Sequence, residues 1–426
     1  MAEFENVRLY EPKKRMPHIV AIGGGHGLSA MLRGLKRYTK FITAIVTVAD
    51  DGGGSGMLRE DLGMLPPGDI RNCIMSLANT EPTMQKLLNY RFTEGSLAGQ
   101  SFGNLFLAAM NGISGSFDEA VHRMGDVLAI TGRVLPVTNQ NVHLEAEFDN
   151  GSRCLGESKI FYAKKLNDCR IRKIRLVPEH PQPLPDALEA IADADVIVLG
   201  PGSLYTSIIP NFLVDGISEA VTRAQALRCY VLNIMTQDGE TDGYTAADHI
   251  RAIFAHAGAG VMDVCIANNR KVSAEYLEPY QKEGVQQLLA APEEVEQLGV
   301  ALREFPVCTP GRYIRHNPDE LARAILSVWR EFRTDRAGRS HVIFIQCQSR
   351  AVQGQLEQKI LRGGGGVWGT AVLQHLQQHG NPHHHRKPRL CGETAPAVQK
   401  GVRHHVRSGA CRTGPGQAAV CHLVGG

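Results

Sequence analysis

A short apolar run, His18 to Ile22, breaks directly into Gly23-Gly24-Gly25-His26-Gly27-Leu28-Ser29, after which Leu28, Met31, Leu32 and Leu35 fall at helical spacing. Strand, glycine loop and helix in that order form the opening unit of a wound α/β sheet. The unit recurs. Thr43 to Val48 is a β-branched run that reads as the next strand, and Asp195–Leu199, Tyr230–Met235 and Val261–Ala267 are later runs of strand length. Helical spacing covers residues 69–79, 82–90, 103–111, 116–128, 245–256 and 319–332, with a capping-box pattern at Ser116-x-x-Glu119. Apolar strands alternating with amphipathic helices predict an α/β fold: a Rossmann-like, doubly wound, mostly parallel sheet. Residues 132–177 have another texture. Val134–Val137, His143–Phe148, a turn at Asn150-Gly151 and Ile171–Val177 read as strands of a smaller β-rich excursion.

This divides the chain into an N-terminal extension (1–17), an α/β domain (18–335) and a tail (340–426). The tail is compositionally foreign. Residues 341–426 hold ten Lys/Arg against two Asp/Glu, nine of the seventeen histidines, and runs at Gly363–Gly366 and His383–His385. A disordered, metal-sticky extension is one reading. Sequence that is not native is the better one, because acidic residues almost vanish while Gly, His, Gln and Arg rise at one point. The rest of the chain is mildly acidic and carries no nucleic-acid footprint. No secretory segment opens the chain, and no run approaches the roughly 20 apolar residues of a membrane helix. A cytoplasmic protein without membrane insertion is expected. Ten cysteines without a Cys-x-x-Cys pair read as reduced and structural.

The chemistry lies in loops at strand ends. In Gly23–Ser29, glycines allow close backbone approach to a phosphate, and the helix start supplies N–H donors. Gly25-x-Gly27-x-x-Ala30 also fits a relaxed dinucleotide pattern, although a tight turn without ligand needs the same residues. Asp50-Asp51-Gly52-Gly53-Gly54-Ser55-Gly56 follows the second strand. Its two carboxylates beside a backbone cradle suit Mg²⁺ shared with a phosphate. So heavy a glycine load costs conformational entropy that a plain turn has no reason to incur.

Pro66-Pro67-Gly68-Asp69-Ile70-Arg71-Asn72 places a good N-cap, Asp69, ahead of Arg71 and Asn72 in a first helical turn. Arg71 can clamp a phosphate or pair with Asp50 or Asp51. Ser101-Phe102-Gly103-Asn104 repeats the helix-start theme, with Ser101 and Asn104 as ligand contacts or simple caps. Gly200-Pro201-Gly202-Ser203-Leu204-Tyr205-Thr206-Ser207 offers the backbone of Gly200 and Gly202, the hydroxyls of Ser203 and Thr206, and a Tyr205 ring to stack on a base or seal the pocket. Asn233, Thr236 and Gln237 end a further strand, as amide and hydroxyl ligands or as turn filler. Each motif is modest alone. Their convergence on one edge of one sheet is the case for a phosphorylated, nucleotide-like ligand.

Taken together, these residues resemble the gluconeogenesis factor family, within the superfamily of the archaeal 2-phospho-L-lactate transferase. The markers are Gly23–Ser29, Asp50–Gly56 with Leu58-Arg59, Pro66–Asn72, Ser101–Phe106, Gly200–Ser207 and Asn233–Gln237, in order, across roughly residues 16–335. The resemblance implies a Rossmann-like core with a nucleotide-diphosphate pocket. For the bacterial branch it implies binding of UDP-sugars, notably UDP-N-acetylglucosamine, and a role in cell shape and wall synthesis during gluconeogenic growth. For the transferase branch it implies Mg²⁺-dependent phospholactyl transfer, with Asp50 and Asp51 holding the metal. His26 stands where Thr is frequent in the family, and Gly54 where Ser is frequent, which removes one hydroxyl donor.

The sequence thus predicts a nucleotide-sugar-binding factor, with a Mg²⁺-dependent transferase as the alternative. No cofactor is required, Mg²⁺ being the one ion the acidic pair suits, and a homo-oligomer is expected. A nicotinamide oxidoreductase is the weakest reading, since it leaves the loops at 52–56 and 200–207 unused. Binder and enzyme share nearly all their residues in phosphoryl chemistry, which is mostly positioning and charge neutralisation.

Overall fold

The computed structural model describes residues 16–339 apart from positions 168, 310 and 312. The tail read at 340–426 and most of the extension read at 1–17 lie outside the described residues.

The chain runs through β1 (Ile19–Gly23), β2 (Ile42–Val46), β3 (Arg133–Pro136), β4 (His143–Phe148), β5 (Arg153–Leu155), β6 (Ile171–Val177), β7 (Val196–Leu199), β8 (Leu227–Val231), β9 (Val264–Asn268) and β10 (Ala301–Phe305). Seven of these form one sheet in the order β10-β9-β8-β7-β1-β2-β3, and every neighbouring pair is parallel. β1 is buried at all five positions and β7 at all four. Helices on both faces make that burial possible and explain why these strands read as unbroken apolar runs. From β1 the chain winds outward through β2 to β3, then returns to the other side of β1 at β7 and winds outward again. The direction reverses between β1 and β7, so the crevice beyond their C-terminal ends is where such a sheet takes a ligand.

Three details depart from the sequence reading. The run at 134–137 is β3, the edge strand of the main sheet, paired with β2 from Thr43↔Arg133 to Val46↔Pro136. An edge position tolerates the proline that ends it. The excursion is therefore only β4, β5 and β6, antiparallel in the order β5-β4-β6, with alternate β4 residues Leu144, Ala146 and Phe148 buried. It also carries an unforeseen helix, Glu157–Asn167. Finally, two segments read as loops are helix starts: the first helix spans Gly25–Leu35 and the second Gly53–Leu62. Gly25 and Gly53 enter them at φ +69 and +48, a left-handed conformation that favours glycine.

Among the described residues, no helix is long and apolar enough to cross a membrane.

Candidate functional site

The turns after β1 and β7 are packed into one another. A Cβ built on Gly27 would lie 2.5 Å from the Pro201 carbonyl oxygen, and one on Gly202 would lie 3.1 Å from the Gly24 oxygen. The glycines at 23–27 and 200–202 thus join the two halves of the sheet at the point of reversal. Leu28 and Ser29 are buried behind this seam, Ser29 beside the Cys73 thiol.

Carboxylates already use several of the backbone donors that the sequence offered to a phosphate. The Gly25 N–H donates to Asp69 Oδ2 at 2.8 Å. The Gly52 N–H donates to Asp50 Oδ1 at 2.8 Å, with the Ser55 side chain beside that carboxylate. Gly202 is bridged by Asn233, whose Oδ1 accepts from its N–H at 3.2 Å while Nδ2 donates to its carbonyl at 2.8 Å. Ser203 Oγ donates to Gln237 Oε1 at 2.8 Å. Thr236 is tied into the chain at Gln286, donating its N–H at 2.8 Å and accepting at Oγ1 at 2.9 Å. Tyr205 is buried; its N–H donates to Glu240 Oε1 at 2.7 Å and its hydroxyl meets that of Tyr244 at 2.9 Å.

Arg71 is buried and donates from Nε to Asn104 Oδ1 at 3.2 Å, while Ser101 caps Asn104's helix. Asn72 is half-buried beside it. Arg71, Arg33 and Arg315 all lie near enough to His26 to lower its pKa, though burial is the larger cause. Neither Arg33 nor Arg315 stood out in the sequence: one is an ordinary helical cation and the other sits on a two-residue strand, Arg315–His316.

The opposite character prevails around Asp50. A cavity of about 280 Å³ opens there between the loops after β2, β7 and β8 and the start of the helix Glu157–Asn167. Asp50, Glu157 and Glu240 are its described acids; Ser158, Ser203, Thr206 and Gln237 contribute hydroxyls and an amide. Burial, then the charge of Asp50, pushes the Asp69 carboxyl up to about 6. Burial, then Asp50 and Asp69, holds Glu157 well above the usual carboxylate range, and burial also raises Asp50. Glu157 escaped the sequence reading because no glycine motif marks it. Its one signal is the Gly156-Glu157-Ser158 junction at a helix start.

The acidic pair faces two ways. Asp50 turns toward its own helix start, whereas Asp51 Oδ1 accepts from the Ser158 N–H at 2.8 Å, capping the excursion's helix. Among the described residues no group of three or more His, Cys, Asp or Glu side chains is disposed to hold a metal ion. A cation still fits the charge of the place, because Asp50 raises the pKa of both Asp69 and Glu157 and no arginine is among the cavity's described lining.

The fold and crevice define a Rossmann-like α/β protein with a charge-divided polar site at its sheet's switch point. The family model described as 2-phospho-L-lactate transferase CofD matches residues 19–308. A gluconeogenesis factor of Bacillus subtilis is 44% identical over 318 residues, covering 74% of this chain and 99% of that protein. A Thermoanaerobacterium thermosulfurigenes protein that bears the same name provisionally is 55% identical over 313 residues, 73% of this chain and 97% of its own length. The crystal structure of a UPF0052 family member from Bacillus halodurans matches with a TM-score of 0.70 at 43% identity, covering 73% of this chain and 99% of that one. The chain belongs to the CofD family, with the gluconeogenesis factors as its relatives.

Proposed function

We propose that this protein is a nucleotide-sugar-binding factor of the cytoplasm, with a UDP-N-acetylglucosamine-like ligand and a role in cell shape and wall synthesis during gluconeogenic growth. The observation that supports this reading is the division of the crevice by charge. Arg71 and Arg315 lie near His26 at the first helix start, with Arg33 in the last turn of the same helix, so a diphosphate finds cations there. The hydroxyls, amide and carboxylates of the neighbouring cavity suit an uncharged polar group. A divalent cation, where one enters, would be held by Asp50 together with the ligand's phosphate oxygens and would neutralise charge between them.

The second reading is a Mg²⁺-dependent transferase acting on a nucleotide diphosphate ester, favoured by the family model's description and by the mutually repelling acids Asp50, Asp69 and Glu157. Incubation of the purified chain with UDP-N-acetylglucosamine and Mg²⁺, following melting and product together, separates the two. The factor should gain stability, about 2.7 kcal/mol at a hundred times Kd, without releasing UDP or UMP; rapid release would establish the transferase. Arg71→Ala should weaken binding about tenfold, the worth of one charged hydrogen bond, and Asp50→Asn should reduce any Mg²⁺ dependence. Unchanged affinity in both variants removes this site assignment.

A further inference from the structure

The cavity beside Asp50 has a size and a chemistry that the nucleotide-sugar reading does not by itself specify. At about 280 Å³ it falls just under the roughly 300–1,000 Å³ of pockets that enclose whole small ligands. A complete nucleotide sugar does not fit inside; a single sugar ring does. Among its described lining residues three are acids and none is basic, while the cations gather around His26. A phosphate placed in the cavity would meet three acids and no cation among its described lining. Sugar hydroxyls would meet the carboxyl groups of Asp50, Glu157 and Glu240, and Gln237, Ser203 and Thr206, which both donate and accept.

The acceptors are also preset. Glu240, only 5% exposed, is held by the Tyr205 N–H at 2.7 Å, and Glu157 lies beside the Thr206 side chain. A site whose polar groups are fixed before binding discriminates strongly against a group that cannot pair with them.

We propose that this cavity is the sugar-ring subsite and that its acids make it a charge filter, admitting neutral and amino sugars and excluding sugars that carry a carboxylate. The proposal rests on the nucleotide-sugar reading above and names which part of the ligand enters which part of the crevice. The diphosphate stays with Arg71 and His26, and the ring enters between Glu157 and Glu240.

The test uses the full chain and calorimetric titration with UDP, UDP-glucose and UDP-glucuronic acid, in chelator so that no cation bridges two carboxylates. UDP-glucose and UDP-glucuronic acid differ only in a hydroxymethyl group against a carboxylate. UDP-glucuronic acid should bind at least about tenfold more weakly than UDP-glucose, a modest share of the repulsion between unit charges in a partly buried site. Glu240→Gln should narrow that ratio to about threefold; Asp50→Asn serves the same purpose should the first variant not fold. Equal affinity for the two sugars in the unaltered protein overturns the proposal, as does a ratio that survives both substitutions. If UDP itself does not bind, the nucleotide-sugar reading falls and this inference with it. If UDP binds and the sugars are not told apart, only the inference falls.

Discussion

Two residues with the same apparent purpose in the sequence have different jobs in the fold. Gly27 and Gly25 both read as glycines that let the backbone approach a phosphate. Gly25 does need its backbone freedom, at φ +69, and its N–H is taken by Asp69. Gly27 needs space: its missing Cβ is what lets the Pro201 backbone come within 2.5 Å of the position. A sequence cannot tell a glycine that faces a ligand from one that faces another turn, since both demand only the absence of a side chain. Gly27→Ala should therefore destabilise the protein by about 1–3 kcal/mol, the usual cost of overpacking, and weaken ligand binding by parting the turns after β1 and β7. Gly112→Ala, where an added Cβ meets nothing within 4 Å, is the control and should be near neutral. Urea titration of both variants checks this; similar midpoints for the two would remove the seam from the account.

At the scale of elements, the apolar strands were legible because burial on both faces leaves an unbroken hydrophobic run. β3 was visible as a strand but not as a member of the main sheet, since its partner β2 lies ninety positions away (Thr43↔Arg133) and four residues carry no address. The helix Glu157–Asn167 was invisible for a related reason: its start is fixed from outside, by Asp51 accepting the Ser158 N–H at 2.8 Å. Asp51 also lies 2.6 Å from where a Cβ on Gly156 would sit, so the excursion's entry is fitted closely to this carboxylate. Arg59, buried, helps from below, donating at 2.5 Å to Asn141 Oδ1 and to the Val142 carbonyl just before β4. Asp51→Ala should release the helix start at a cost of about 0.5–2 kcal/mol, as for other lost caps. Hydrogen exchange should rise over residues 157–167 and stay unchanged in β1 and β7. Uniform acceleration across the sheet would show instead that Asp51 supports the whole fold, and no change at all that the cap contributes nothing.

The whole molecule turns a local reading into a site. No single motif specified that the loops after β1, β2, β7 and β8 share a crevice; the strand order does, by reversing between β1 and β7. The same burial that builds this sheet encloses titratable groups. His249 is fully buried on the helix Ala246–Ala257, with Nδ1 2.8 Å from the Tyr230 hydroxyl on β8, and burial lowers it to about 4. Its folded pKa lies below the unfolded value of 6.5, so in acid the unfolded chain takes up the proton first and stability falls as pH drops from about 6.5 toward 4. Asp69 has the opposite sign. Its folded value of about 6 lies above the model-peptide value near 3.8, so it adds stability as pH falls through that interval. Comparing each variant with the unaltered protein separates the two. Between pH 7.5 and 5 His249 by itself should account for about 2 kcal/mol of lost stability, and His316, which burial also lowers to about 4, for a similar share. His249→Gln, which keeps a polar partner for Tyr230, should flatten the pH profile by that amount, whatever it costs at neutral pH. Asp69→Asn should steepen the same profile, because the compensating proton uptake is gone. Guanidinium unfolding at the two pH values reads both effects, and profiles parallel to that of the unaltered protein would show that these groups do not set its acid sensitivity.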